Sequence, residues 1–143
     1  MSEQTVNQEG LSDSIAYCCL QAYLTINPET QRLFAEHGLK PVEYTVLKIV
    51  LANPTISQKR LGETIRVSPP NMATLLDAME ESGLVKRQQN PADKRAHILK
   101  ITALGHEKLH KSSACVEQAE NQLPLTAKER KQLLTLLQKI FLA

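Results

Sequence analysis

At 143 residues, 42% of them apolar, with 17 basic and 15 acidic side chains and a net charge of +2, the chain has an ordinary soluble globular make-up and suits one domain, or one core with an appended helical part. No apolar run approaches the roughly 18 residues of a membrane span. The opening MSEQTVNQEG lacks a signal peptide's basic start and apolar stretch, which predicts a cytoplasmic protein with no membrane partner.

Leu11, Ile15, Cys18, Cys19, Ala22 and Ile26 fall at helical spacing, and Asn27-Pro28 then interrupts. Asn27 can cap a new helix with Pro28 at its first position, running to His37 and ending at Gly38. A further helix begins at Lys40-Pro41 with Tyr44, Leu47, Val50 and Leu51 as its stripe, and Asn53-Pro54 stops it. Ser57 caps a short helix containing Leu61 and Ile65.

The next stretch, RVSPPNMATLLDAMEESGLV, starts with two adjacent prolines. The first turn of a helix has amides without internal partners, so proline there loses no helical bond. Ser68 is the expected cap, with its hydroxyl on the amide of Asn71. Met72, Leu75, Leu76 and Met79 form the buried stripe, and Gly83 suits the left-handed position after the helix. The opposite face, Pro70, Asn71, Ala73 and Thr74, is small and uncharged, so it can press on a flat partner and hydrogen-bond it.

Leu84–Gln89 and Arg95–Thr102 read as two strands around the turn of residues 90–94, with Leu99 and Ile101 turned inward. Thr102 caps a helix on which Leu109, Val116 and Leu123 repeat every seven residues up to Pro124. Thr126-x-x-Glu129 is a capping box for a last helix rich in leucine. Residues 40–110 hold 11 basic and 7 acidic side chains against 6 and 8 elsewhere, so the middle of the chain is the part suited to a polyanion.

A short helix, a tight turn, a second helix and a hairpin make a winged helix-turn-helix. The segments SQKRLGETIRVSPPNMATLLDAMEESGLV and GLVKRQQNPADKRAHILKITALG resemble the MarR family, the multiple-antibiotic-resistance regulators, in the helix-turn-helix and in the wing with its Asp-x-Arg pair and closing Thr-x-x-Gly. The expected fold is mainly α with a small β-hairpin wing (α+β). Residues 39–102 would form the DNA-binding domain, and residues 11–38 and 103–143 a helical dimerisation region.

The resemblance implies a homodimeric regulator, a repressor of transcription, bound to a pseudo-palindromic operator in double-stranded DNA. Arg95 would enter the minor groove, held by a bidentate bond from Asp93. Asn71 and Thr74 would face bases, with Pro70 and Ala73 in apolar contact. Ser57, Gln58, Lys59, Arg66, Ser68 and Lys86 or Arg87 are phosphate candidates. The family also implies release by a small aromatic or phenolic ligand, for which Tyr17, Tyr23, Phe34, His37 and Tyr44 are candidates, Tyr17 and Tyr44 foremost. The same aromatics also suit plain core packing.

Two other switches are open. Tyr17-Cys18-Cys19 is close to the pattern of peroxide-sensing relatives, with Cys115 as a resolving partner, while a buried cysteine also serves as a small hydrophobe. The three cysteines have no framework spacing, so structural disulfides are not expected. His106 and His110 are four apart on one helix, but no acidic cluster completes a metal shell, and no metal or cofactor is expected. No phosphate loop, nucleophile elbow or Cys-x-x-Cys points to an enzyme. A winged helix that binds protein or RNA is the remaining alternative.

Overall fold

The computed structural model describes residues 6–142. In chain order, the described residues form α1 (Ile15–Ala35), α2 (Pro41–Ala52), α3 (Gln58–Ile65), α4 (Pro69–Glu81), β1 (Val85–Asn90), β2 (Asp93–Ile101), α5 (Ala103–Lys111), α6 (Cys115–Glu120) and α7 (Ala127–Phe141). This is the expected α+β winged helix-turn-helix. Val46 and Leu47 of α2, Leu61 of α3, Leu76 and Met79 of α4, Leu84, Val85 and Leu99 meet in one core, to which α1 adds Leu33 and Phe34.

The helix α1 runs unbroken from the Ser14 cap through Pro28. An interior proline costs roughly 3 kcal/mol, and the sequence therefore suggests a break at Asn27-Pro28. The C-terminal half is held against that cost by buried Leu33 and Phe34 and by Arg32 bridging Glu29 and Glu36 at 2.7 Å each. Leu11 lies in a turn before the helix.

The expected long helix after Thr102 is divided. Ser112 ends α5, and its backbone carbonyl accepts the amide of Cys115 at 3.1 Å, where α6 begins. Serine competes for backbone hydrogen bonds, which favours turns. The break lets both Cys115 and Ala119 bury themselves beside α1. The seven-residue spacing of Leu109, Val116 and Leu123 therefore does not mark one helix.

The hairpin is tighter than expected. Asn90 pairs with Asp93 across Pro91-Ala92, so Asp93 and Lys94 belong to β2. Ile98 and Leu99 are both buried, on opposite faces of the strand. The residues ahead of α3 cover the second face, with Leu99 donating to the Ile56 carbonyl at 3.1 Å and Ser57 bridging Ile98.

The closing Thr-x-x-Gly has a steric cause. The Thr102 hydroxyl accepts the Gly105 amide at 3.0 Å and donates to the Leu84 carbonyl at 3.1 Å. A Cβ at Gly105 would sit 2.3 Å from that carbonyl oxygen, so only glycine lets α5 pack this close to the strand.

Candidate nucleic-acid interface

Ser57 caps α3 by accepting the Arg60 amide at 3.1 Å. The helix ends on Arg66, whose φ of 57° and ψ of 42° are left-handed, the one non-glycine so placed among the described residues. That conformation reverses the chain within two residues, and the Val67 amide returns to the Gly62 carbonyl at 3.0 Å. A side chain there costs on the order of 1 kcal/mol, where glycine would be free.

Ser68 caps α4 in extended geometry, but its hydroxyl makes no capping bond; its carbonyl accepts the Met72 amide at 2.8 Å. The expected bond to Asn71 is absent. Pro69 and Pro70 occupy the first two helical positions and carry no N–H, so the first amide that the tip offers a partner is that of Asn71. Pro70, Asn71 and Thr74 are exposed and Ala73 is half-buried, while Met72, Leu76 and Met79 face the core. The helix ends in the expected manner. Gly83 has a φ of 77°, and the amides of Gly83 and Leu84 return to the carbonyls of Glu80 and Met79.

Where α3 meets the start of α4 lies an open groove of about 710 Å³. It brings together four of the expected phosphate contacts, Gln58, Lys59, Arg66 and Ser68, over a floor containing Val67 and Met72. Lys59 and Arg66 are exposed and form no ion pair among the described residues. Ser57 is half-buried at the cap, and Lys86 is exposed on β1.

Arg87 is placed differently from the expectation. Its guanidinium lies 2.7 Å from Asp77 and 2.9 Å from Glu80 on α4, and its Nε donates to Gln58 at 3.2 Å. Partial burial opposes its charge, but the bonds to Asp77 and then Glu80 outweigh this and raise its pKa. It is committed within the protein.

At the wing tip the Asn90 side chain accepts the Ala92 amide at 3.0 Å, and Asp93 accepts the backbone amide of Arg95 at 3.0 Å. The expected bidentate bond between the Asp93 and Arg95 side chains is absent; the carboxylate shapes the turn instead. Arg95 is exposed without an ion pair among the described residues, and so is Lys94, which the sequence reading passed over. Its place beside the Asp-x-Arg pair was the available signal.

The aromatic candidates do not gather. Phe34 is 1% exposed, and its ring lies 4.7 Å from that of Tyr44, so these two are packing residues. Tyr17 bonds Gln8, and half-buried His37 lies just beyond the end of α1. Tyr23 alone lines the crevices between α1 and α2, of about 380 and 480 Å³, with Asn27, Pro41 and Val42. Asn27 was missed because beside a proline it reads as a helix cap.

Cys18 and Cys19 are exposed, whereas Cys115 is buried. Burial, and then the charge of Glu36, raise the Cys115 pKa, which disfavours the thiolate a resolving cysteine needs. His106 and His110 are exposed, and no group of three or more potential metal ligands occurs among the described residues. No described helix is long and apolar enough to cross a membrane.

Residues 39–97 match the MarR family. The chain is similar to the transcriptional repressor CouR bound to a 23-mer DNA duplex, at 28% identity and a TM-score of 0.86, covering 96% of this chain and 99% of that one. It is similar to CouR bound to p-coumaroyl-CoA at 27% identity and a TM-score of 0.81, covering 95% and 97%. A mutant MarR from E.coli complexed with operator DNA shares the fold at 20% identity and a TM-score of 0.82, covering 94% and 99%.

Proposed function

We propose that the chain is a DNA-binding transcriptional regulator of the MarR family, which its residues 39–97 match, and that it acts as a homodimeric repressor with one winged module on each half of a pseudo-palindromic operator. Residues 39–102 would bind DNA, and residues 11–38 and 103–143 would hold the dimer. The observation that carries this reading is a complete winged module in which exposed cations without an ion pair among the described residues include Lys59 and Arg66 at the helix-turn-helix elbow and Lys94 and Arg95 at the wing tip.

The tip of α4 enters the major groove in this reading. Asn71 reads a base edge, and Pro70, Ala73 and Thr74 make close contact. Arg95 enters the minor groove, where negative potential concentrates over narrow A·T-rich steps. Lys59, Arg66 and Lys86 meet phosphates and set the register.

Release follows from an aromatic ligand at the crevices lined by Tyr23 and Asn27, between the helix α1 and the winged module's α2. That the similar repressor CouR is bound to p-coumaroyl-CoA supports an aromatic compound as the class of ligand. Such a ligand must favour the DNA-free form; a tenfold release needs a difference of ~1.4 kcal/mol, and DNA weakens the ligand by the same factor. Oxidation at exposed Cys18 and Cys19 is the second reading, favoured by their accessibility.

Two substitutions test the DNA assignment. Arg95→Ala should weaken binding to every operator while leaving the chain folded, because it removes a groove contact and buries nothing. Asn71→Ala should lower the preference for operator over random DNA by about 1–3 kcal/mol per half-site. Unchanged binding of Arg95→Ala at physiological salt contradicts the wing assignment.

A further inference from the structure

Arg87 ties three parts of the winged module together at one point. It projects from β1, whose register places it opposite the fully buried Leu99, so its backbone has little freedom. Its Nη2 reaches Asp77 at 2.7 Å, its Nη1 reaches Glu80 at 2.9 Å, and its Nε reaches Gln58 at 3.2 Å. Nη2 also lies 3.5 Å from the Ala73 carbonyl. The partners therefore come from α3 and from successive turns of α4, while the cation comes from the strand that leads to the wing tip. One planar fork serves all of them; a lysine ammonium, a single compact donor on a flexible stem, cannot.

The side chain is 24% exposed, and its carboxylate partners are 70% and 42% exposed. Singly, such pairs contribute little. Joined on one guanidinium they fix the distance between α4, whose tip carries Asn71, and β1, whose hairpin partner β2 carries Arg95. They also neutralise two carboxylates on the helix that presents itself to a polyanion.

We propose that Arg87 is a positioning residue that sets the spacing of wing and recognition helix, and with it the operator specificity, instead of a phosphate ligand. The proposal rests on the DNA-binding reading above. A phosphate contact would require Arg87 to exchange its carboxylates, leaving Asp77 and Glu80 uncompensated beside the DNA.

The test compares wild type, Arg87→Lys and the double variant Asp77→Asn, Glu80→Gln. Each is titrated across salt concentrations with a duplex that the wild type has enriched from a random library, and with a scrambled duplex of equal length. Positioning predicts that both variants melt near the wild type and lose about tenfold in the ratio of enriched to scrambled affinity. Combining the changes should cost no more than either alone, because the groups act as a unit. Arg87→Lys keeps its charge, so the slope of log affinity against log salt should stay at the wild-type value.

The proposal is overturned if Arg87→Lys keeps the ratio, or if Asp77→Asn, Glu80→Gln tightens binding to both duplexes equally with the ratio intact. If Arg87→Lys melts early, the double variant, which leaves the arginine in place, decides alone. A wild type that enriches no duplex overturns the DNA reading itself, and this proposal with it; a specific wild type with unaffected variants overturns only the proposal.

Discussion

Leu47, Leu61, Leu76 and Leu99 of the winged module are fully buried, whereas Leu133, Ile140 and Phe141 of α7 are 44%, 60% and 56% exposed. The two regions carry similar apolar stripes, yet one closes its core within a single chain and the other buries none of its helix. The helix α1 shows the same contrast within itself. Its C-terminal Leu33 and Phe34 join the core, while Ile15, Leu20 and Leu24 nearer its start are about half exposed or more. Apolar surface of this extent on two terminal helices marks an association site, and a second copy of the chain is the partner that the proposed dimer supplies. The winged module is thus self-sufficient in its packing, and the flanking helices are not.

The largest effect should come from breaking the flanking region. Leu133→Asp together with Ile140→Asp puts charge on the uncovered stripe and should convert a dimer to monomers, read by sedimentation. The helical content of the winged module should survive. Second, Leu76→Ala opens a cavity where the side chain is fully buried and should destabilise the fold by about 2–5 kcal/mol, read by denaturant unfolding. Its effect should persist in the monomeric background, which sharpens the distinction between the regions. The smallest effect should be at the elbow. Arg66→Gly relieves the left-handed strain but frees the unfolded chain, so it should change stability by no more than about 1 kcal/mol. It should nevertheless weaken DNA binding through the lost cation.

The elements whose cause is local were legible in the sequence. The helix α4 declared its start through paired prolines and its end through Gly83, and the capping box of α7 forms as expected, with Thr126 accepting the Glu129 amide at 3.2 Å. Features decided by distant packing were hidden. Pro28 stays inside a helix because Leu33 and Phe34 are anchored in the core. Ser112 starts a turn because Cys115 and Ala119 gain burial by it. Ile98 is buried by the residues around Ser57, some 40 positions earlier in the chain.

The site divides similarly. The elbow and wing tip follow from motif order. Arg87's partners, Gln58, Asp77 and Glu80, come from separate elements, so its commitment within the protein could not be read from spacing. The aromatic candidates divide for the opposite reason: helical spacing does not reveal that the Phe34 ring faces the core while Tyr23 lines a crevice.

The most direct test of the central claim is the stoichiometry and spacing dependence of the DNA complex. The duplex is the one enriched from a random library, and the mass of the complex is measured by light scattering. The account predicts two chains per duplex, on half-sites about 10 base pairs apart, and loss of specific binding when about 5 base pairs are inserted between them, because half a turn moves one site to the opposite face. One chain per duplex, or binding indifferent to the insertion, would contradict it.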